Sequence, residues 1–236
     1  MAKHKFHITY KHANIKIVTD LEISENEVRE IVQTLVLTVE NFVETHQDWE
    51  KSFDPVITTT QIPLIRAMEE AAHLAQVGPM AAVAGAIADL LAQDLKNRGA
   101  QIIVVENGGE IFIESAEDIN IGILSETTSL KGTLGVKYRA NQGTLGVGTS
   151  SGQFGHALSL GNADLVTVFA DNAAIADAAA TYIANHVTGD DPEEAIQKGL
   201  ESYRTLNGEQ IHGALLHKAE KIGTIGTLPP LIQIED

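Results

Sequence analysis

Apolar and polar side chains alternate at the amino end of the chain. Apolar residues take every second position over residues 6–10, and the alternation returns over residues 15–17 after a polar stretch. A period of two is typical of β-strands that bury one face of a sheet. The pattern therefore predicts an antiparallel hairpin in this region, with its turn inside residues 11–14.

The period becomes helical after Ser24. Ser24 and Glu27 have the Ser-x-x-Glu spacing of a capping box, in which each side chain accepts a hydrogen bond from the other residue's backbone N–H. Apolar residues then recur every three or four positions, at Val28, Ile31, Val32, Leu35, Val39, Phe42 and Val43. This spacing predicts one long amphipathic helix that begins just after Ser24.

Two prolines mark the starts of further helices, because proline is well tolerated at the first helical position. One helix is predicted from Pro63. The other is predicted from Pro79 through residues 80–98 and ends at Gly99, where glycine suits the left-handed conformation that follows a helix. The first half of this second helix is almost entirely alanine and glycine. Such a face fills little space, so we expect another helix or a ligand to approach its backbone closely.

The rest of the chain alternates short β-rich runs with two helical ones. Strands are predicted at residues 101–105, 110–114, 120–124, 133–137, 144–147 and 164–170, helices at 172–187 and from Asp191-Pro192 to about 208, and one or two closing strands after 213. The pentapeptide GTLGV occurs at 132–136 and again at 143–147, which favours two strands paired with each other. No linker or low-complexity tract interrupts the pattern, so we expect one α+β domain over residues 1–236.

The charge of the chain excludes some classes of partner. Its 236 residues include 32 acidic and 16 basic ones, and the formal net charge is −16. Such a surface repels phosphate backbones and anionic membranes, so nucleic-acid and membrane partners are disfavoured.

Charged residues interrupt the longest apolar stretches, and the start lacks the apolar region of a secretory signal, which together favour a cytoplasmic protein. The chain has no cysteine, so disulfides, thiolate metal ligands and covalent carriage of sulfur are excluded.

The first candidate site is Asn107-Gly108-Gly109-Glu110. The two glycines expose backbone N–H groups and let a ligand approach, while Asn107 and Glu110 supply polar side chains. The same residues also satisfy the needs of a tight β-hairpin. The pattern by itself leaves both interpretations open.

The second candidate site lies in residues 149–156. Thr149, Ser150 and Ser151 directly precede Gly152, and His156 follows four positions later. Hydroxyl groups beside glycines suit an anion or a phosphate, with His156 as a further donor, although a serine-rich turn has the same composition. The segment is not a Walker loop, because no lysine follows it at the required spacing.

The third candidate site is the pair Asp177 and Thr181. A gap of four residues places both side chains on one face of the helix predicted at 172–187. A carboxylate and a hydroxyl suit a hard cation such as Mg²⁺, which keeps water or phosphate oxygens as its other ligands. The residues around Asp177 are alanines, so its carboxylate needs a partner if it is buried. A partly exposed helical aspartate is the alternative.

Taken together, the three candidates resemble segments of the ApbE-type FAD:protein FMN transferases, in the same order. Residues 107–110 are similar to their N-x-G-G-D turn, residues 149–154 to their T-S-G-x-Y segment, and residues 177–181 to their A-D-A-x-x-T helix. The runs GPMAAVAGAIA, VENGGE, TSSGQFGHALSLGNAD and ADAAAT resemble more closely a short branch of that superfamily found in methanogens and sulfate reducers.

The resemblance implies an ApbE-like α+β fold, with mixed or antiparallel sheets and packed helices. It also implies a nucleotide site and a metal site. A flavin nucleotide would contact Asn107, Gly108, Gly109, Glu110, Thr149, Ser150, Ser151, Gly152 and His156, and Mg²⁺ would be held by Asp177 and Thr181. Two departures separate the chain from the transferases. Ala84 stands in place of the lysine of their K-G pair, and their H-x-I-D-P-x-T-G run is reduced to His156 and Leu160-Gly161.

Three functions follow from the resemblance. The first is a small-molecule-binding protein or accessory enzyme, which in similar proteins is linked to sulfide assimilation into homocysteine beside a partner redox protein. The second is a Mg²⁺-dependent flavin transferase. The third is a non-enzymatic subunit that has lost the site and packs its alanine-rich helices against another subunit, a second copy included.

Overall fold

The computed structural model describes residues 2–123, 134–151, 161, 163–206 and 208–234. The helices in this part of the chain are α1 Glu25–Thr45, α2 Gln47–Glu50, α3 Pro63–Ala75, α4 Val83–Asn97, α5 Ala173–His186 and α6 Pro192–Tyr203, with a 3₁₀ helix, Pro79–Ala82, directly before α4. The strands are β1 His4–Tyr10, β2 Ala13–Thr19, β3 Ile102–Asn107, β4 Glu110–Ser115, β5 Ile119–Gly122, β6 Leu134–Tyr138, β7 Leu145–Ser150, β8 Leu165–Ala170, β9 Ile211–Lys218, β10 Lys221–Gly226 and β11 Leu231–Gln233.

These strands form two antiparallel sheets. The larger has eight strands in the order β1-β2-β3-β4-β7-β8-β9-β10, so strands from near both ends of the chain lie in the same sheet. The smaller has three strands in the order β11-β6-β5. This is the α+β architecture of antiparallel sheets and packed helices that was expected from the resemblance.

The eight-stranded sheet has a hydrophobic cluster on each face. Strand β8 shows the alternation, since Val166 and Val168 belong to the larger cluster beneath the helices. Phe169 points the other way, into a smaller cluster that includes Val136 and Tyr138 of the three-stranded sheet. A strand with two covered faces is apolar at nearly every position, which is why residues 164–170 could be recognised in the sequence.

The local signals at the amino half of the chain are confirmed. Strands β1 and β2 form the predicted hairpin. The capping box is present, because the Ser24 hydroxyl accepts from the Glu27 N–H at 3.3 Å and the Glu27 carboxylate accepts from the Ser24 N–H at 3.1 Å. Pro63 is the first residue of α3. These features depend only on residues close together in the sequence, so their patterns were sufficient to predict them.

Two helix boundaries differ from the prediction. The helix expected over residues 80–98 is divided, because Ala82 has φ −117° and ψ 7° and the preceding turn is 3₁₀. The helix expected to reach residue 208 ends at Tyr203. The next three backbone N–H groups bond to carbonyls three residues earlier, which tightens and closes the last turn.

The interpretation of the GTLGV repeat is wrong. Its two copies lie in different sheets, since Leu134 begins β6, which pairs with β5 and β11, whereas Leu145 begins β7, which pairs with β4 and β8. An alternating pentapeptide favours a strand but does not specify the partner strand. The carboxyl end also forms three strands instead of one or two, and α2 was not predicted. Positions 124 and 133 of the expected strands lie outside the described residues.

Within the described ranges, no single helix has both the length and the apolar character needed to cross a membrane. Helix α3 and the segment Pro79–Asn97 pass that test only as a pair, which is bent by 105°.

Candidate functional site

The β3–β4 hairpin ends in the predicted Asn-Gly-Gly-Glu turn. Gly108 and Gly109 have φ angles of +71° and +122°, a region that glycine enters without a Cβ clash. Asn107 and Glu110 face each other across the two strands, and both side chains are buried. They point to the helix-covered face, because Val105, two positions before Asn107, belongs to the core on that face. The turn is therefore a tight hairpin that also supplies two inward-facing polar groups.

Hydrogen bonds connect this turn to its neighbours. The Asn107 Nδ2 donates to the carbonyl oxygen of Ala84, in the first turn of α4, at 3.0 Å. The Glu110 carboxylate accepts from its own backbone N–H and from that of Thr149 in β7. Thr149 also lies against the turn, since a Cβ added to Gly109 would be 2.6 Å from the Thr149 Oγ1. The hairpin turn, α4 and β7 thus meet at one point.

Helix α5 brings Asp177 to the same point. The Asp177 Oδ2 accepts a hydrogen bond from the backbone N–H of Gly85 at 3.0 Å. Gly85 directly follows Ala84, whose carbonyl oxygen accepts from Asn107. The structure therefore brings together one residue from each of two segments, Asn107 and Asp177, that lie seventy positions apart in the sequence.

Two glycines allow α5 to come this close. A Cβ on Gly148 of β7 would lie 2.2 Å from the carbonyl carbon of Ala176, and a Cβ on Gly85 would lie 2.3 Å from the carbonyl oxygen of Ala173. Both distances are far below a van der Waals contact, so backbone touches backbone at each place. The close approach expected at the alanine- and glycine-rich start of α4 is made by a helix.

Burial controls the acidity of the site. It raises the pKa of Asp177 well above its ordinary value, and the charge of Glu110 raises it further, while hydrogen bonds from the amides of Gly85 and Ala84 oppose the shift. Burial also raises the pKa of Glu110 to about 7. The same cause raises the pKa of Asp89, on α4, to about 6.

These three acidic groups have no cationic partner among the described residues. The ion pairs found in that part of the chain do not include Asp89, Glu110 or Asp177. Backbone N–H groups donate hydrogen bonds to all three carboxylates. Buried carboxylates that repel each other are stabilised by protons or by a bound cation. The arrangement is therefore suited to accept positive charge.

A family model with the description "AbpE bacteria" matches residues 1–222 of the chain. The chain belongs to this family. A UPF0280 protein of Methanocaldococcus jannaschii is 36% identical over 98% of the chain and 94% of its own length. A UPF0280 protein of Methanopyrus kandleri is 39% identical over 77% of the chain and 76% of its own length. The resemblance to the ApbE-like superfamily is confirmed.

Solved structures show the same fold for this AbpE family member. The flavinyl transferase ApbE of Pseudomonas stutzeri, in its apo form, superposes with a TM-score of 0.59 at 13% identity, covering 95% of this chain and 94% of that one. The flavin transferase ApbE of Vibrio cholerae superposes with a TM-score of 0.59 at 13% identity, covering 96% and 98%. At this level of identity the likeness shows the fold alone, and the activity has to be argued separately.

We expect the protein to lose stability as the pH rises from about 5 to about 7.5. The folded pKa of Glu110, about 7, lies above its ordinary value of 4.5, so the folded state binds more protons than the unfolded state between those values. Stability is then full on the acidic side and falls as the pH rises, by roughly 3 kcal/mol for this group at about 1.4 kcal/mol per pKa unit. Urea unfolding at the two pH values measures the change.

The variant Glu110→Gln is the control for this pH dependence. Glutamine keeps a carbonyl oxygen that can accept from the Thr149 N–H but has no proton to lose. Its unfolding free energy should therefore vary less with pH than that of the unchanged protein. An equal slope in both proteins would show that Glu110 is not the group responsible.

The remaining predicted residues lie partly outside the described residues. Ser150 ends β7, and Ser151 is the last described position before Gly152 and His156, which fall outside. Thr181 lies one turn after Asp177 on α5 and is partly exposed. The structure therefore has Asn107, Glu110, Thr149 and Asp177 at one place, while a contribution from Gly152 and His156 stays a prediction.

Sequence reasoning missed Asp89 and the backbone of residues 84–85. Asp89 lies four positions after Gly85 on α4, and its carboxylate accepts from the N–H groups of Ala173 and Ala174 at 2.8 and 2.9 Å. The one available signal was a single acidic residue within the apolar run GAIADLLA. Its partners are backbone amides 84 and 85 positions away, which no side-chain pattern could reveal.

The donor set fits a weakly held hard cation better than a structural metal. Among the described residues, no group of three or more His, Asp or Glu side chains is arranged to hold a metal ion. Asp177 has one carboxylate oxygen bonded to Gly85, and Thr181 follows one helical turn later. Mg²⁺ accepts one or two carboxylates when water and phosphate oxygens complete its shell. The residues present are therefore compatible with Mg²⁺ and a phosphate-bearing ligand.

Proposed function

We propose that this protein binds a phosphate-bearing small molecule together with a divalent cation at the site around residues 107–110, 149–156 and 177–181. The ligand that we favour is a flavin nucleotide, and the protein would work as a binding protein or accessory enzyme. The observation that carries the proposal is the burial of Glu110 beside Asp177 without a described cationic partner. A cation would compensate that charge, and a phosphate would complete the coordination of the cation.

The cation makes an anionic ligand compatible with an acidic protein. The net charge of −16 and the two carboxyl groups repel a phosphate that arrives alone. A bound Mg²⁺ would supply positive charge to the phosphate oxygens, with Asp177 and Thr181 as its protein ligands. The backbone at Gly108 and Gly109 and the hydroxyls of residues 149–151 would orient the rest of the molecule by hydrogen bonding.

The test is a calorimetric titration of FAD into the protein with and without Mg²⁺. We expect FAD to bind at least about ten-fold more tightly with Mg²⁺, a coupling within the usual range for two ligands that share a site. Asp177→Asn should remove the effect of Mg²⁺. Asp48→Asn, which removes one exposed negative charge on α2, should leave it unchanged. A ten-fold effect that persists in Asp177→Asn would contradict the proposed cation ligand.

A flavin transferase is the second candidate, because the fold is shared with ApbE flavin transferases. This activity requires AMP to be released when a protein with an acceptor threonine or serine is added to the FAD complex. We expect no AMP, because Ala84 replaces the lysine and the D-P-x-T-G run is absent. Release of AMP that depends on Asp177 would establish the transferase instead.

A place in sulfide assimilation into homocysteine is a further extension, suggested by the resemblance alone. The absence of cysteine restricts such a role to non-covalent binding beside a partner redox protein. Mass spectrometry of the protein as purified from its source would identify a co-purifying metabolite. If neither FAD nor ADP binds with Mg²⁺, the proposed site is not used, and a non-enzymatic subunit is the better interpretation.

A further inference from the structure

Helices α4 and α5 cap each other. The Asp177 carboxylate of α5 accepts from the Gly85 N–H in the first turn of α4. In return, the Asp89 carboxylate of α4 accepts from the N–H groups of Ala173 and Ala174 in the first turn of α5. Each helix therefore has free amides of its first turn satisfied by an acidic side chain from the other helix.

The spacing makes the exchange reciprocal. Gly85 and Asp89 are four positions apart on α4, and Ala173 and Asp177 are four positions apart on α5. The two first turns are in direct contact, since a Cβ on Gly85 would lie 2.3 Å from the Ala173 oxygen. On each helix, the acidic side chain that caps the other helix thus lies one turn after the backbone amide that the other helix caps.

Neither helix has a local substitute for these bonds. The residue before α4 is Ala82, which has no capping side chain. The residue before α5 is Asn172, whose side chain accepts from the N–H of Ile175, whereas the N–H groups of Ala173 and Ala174 donate to Asp89. The amides of Ala173 and Ala174 therefore depend on Asp89, and the position of Asp177 one turn later depends on that first turn.

We propose that Asp89 is a positioning residue, which holds the first turn of α5 so that the Asp177 carboxylate is aimed at Gly85 and at the Asn107–Glu110 turn. This rests on the proposed function in one respect, since cation affinity is one of its two readouts. Asp89 would affect the cation through Asp177 and not by coordinating it. Residues that orient a metal ligand typically change metal affinity by about 10- to 100-fold when they are replaced.

A cap that served only stability would have a different form. Helix α6 is capped locally by Asp191, which accepts from the N–H groups of Glu193 and Glu194 at 2.9 Å each. Asp89 instead adds its negative charge near Asp177, which opposes ionisation of Asp177. Capping by Asp89 therefore places two acidic groups close together, which is electrostatically unfavourable. Unlike a local cap, however, it fixes the position of α5 relative to α4.

The experiment compares Asp89→Ala, Asp89→Asn and Asp191→Ala in the full chain. Asp191→Ala is the matched control, because it also removes one carboxylate that caps two amides, but on α6. Mg²⁺ alone is titrated by calorimetry. We expect Asp89→Ala to weaken Mg²⁺ binding about ten-fold or more. Asp89→Asn should weaken it less, because the asparagine carbonyl oxygen still accepts a hydrogen bond. Asp191→Ala should change the Mg²⁺ affinity less than about two-fold, because Asp191 does not orient Asp177.

Amide hydrogen exchange provides the readout that does not need a cation. The Gly85 N–H should exchange about ten-fold faster in Asp89→Ala than in Asp191→Ala, because its acceptor Asp177 is displaced although still present. If the unchanged protein takes up no Mg²⁺ either alone or together with FAD, the proposed function fails, while this exchange comparison still decides on Asp89. Equal exchange at Gly85, or equal Mg²⁺ affinity in a protein that does bind Mg²⁺, would overturn the positioning role.

Discussion

Replacing Asp177 with asparagine is expected to abolish Mg²⁺-dependent nucleotide binding while stabilising the unliganded protein at neutral pH. The carboxylate is buried beside Glu110, and both burial and that neighbour raise its pKa. Asparagine removes the unfavourable charge and keeps an oxygen that accepts from the Gly85 N–H. The unfolding free energy of the asparagine variant should therefore exceed that of the unchanged protein at neutral pH, where the raised pKa makes ionisation of Asp177 unfavourable. This difference should fade in acid, where the native aspartate is protonated.

Alanine at the same position is expected to behave differently. On helix propensity alone, Asp177→Ala would be nearly neutral or favourable. The structure changes this expectation, because alanine leaves the Gly85 N–H without an acceptor, a loss of about 1–3 kcal/mol for a buried donor. Alanine should therefore be less stable than asparagine by about that amount, although both fail to bind Mg²⁺.

Urea unfolding at about pH 7.5 and about pH 5, with FAD and Mg²⁺ titrations, separates the two effects in these variants. For each variant, the change in unfolding free energy is compared with the change in Mg²⁺-dependent FAD binding. An asparagine variant that is less stable than the unchanged protein at neutral pH would show that the charge of the Asp177 carboxylate does not destabilise the folded state. Retained Mg²⁺-dependent binding in both variants would remove Asp177 from the cation site.

Replacing Gly148 with alanine is expected to disrupt the packing of α5 against β7 beside the site. The new Cβ would lie 2.2 Å from the carbonyl carbon and 2.4 Å from the oxygen of Ala176, and 2.4 Å from the backbone nitrogen of Asp177. These atoms belong to a buried helix backbone, so α5 or β7 has to move. Overpacking typically costs about 1–3 kcal/mol, and more when backbone is displaced. The shift falls directly on Asp177.

Gly208→Ala is the control for Gly148→Ala. The nearest atoms to a Cβ at Gly208 are at 3.8 and 3.9 Å, which is ordinary contact. Its unfolding free energy and its Mg²⁺-dependent binding should stay close to those of the unchanged protein, whereas Gly148→Ala should lose both. A Gly148→Ala protein with unchanged stability and binding would show that β7 and α5 are not in the backbone contact described above.

The candidate site was only partly predictable. Asn107–Glu110 could be recognised because two adjacent glycines between β-rich runs favour one type of turn, and Asp177 stood out because it is an acidic residue among alanines. Asp89 could not be recognised, because its partners are the backbone amides of Ala173 and Ala174, which leave no mark on side-chain patterns. The contact of Gly148 could not be recognised either, because it is made with the backbone of residues 176 and 177.

The sequence by itself determined the features that depend on near neighbours in the chain. These are the capping box at Ser24, the helix start at Pro63, the positive φ angles of glycines 108 and 109, and the apolar, β-branched run that makes residues 164–170 a strand. Only the tertiary structure decided which strands pair, as the two GTLGV copies show, and which carboxylates share a buried site. The physical reason is that packing brings together backbone groups from distant parts of the chain. An amide of Gly85 and a carboxylate of Asp177 meet only because α4, α5 and β7 pack without intervening side chains.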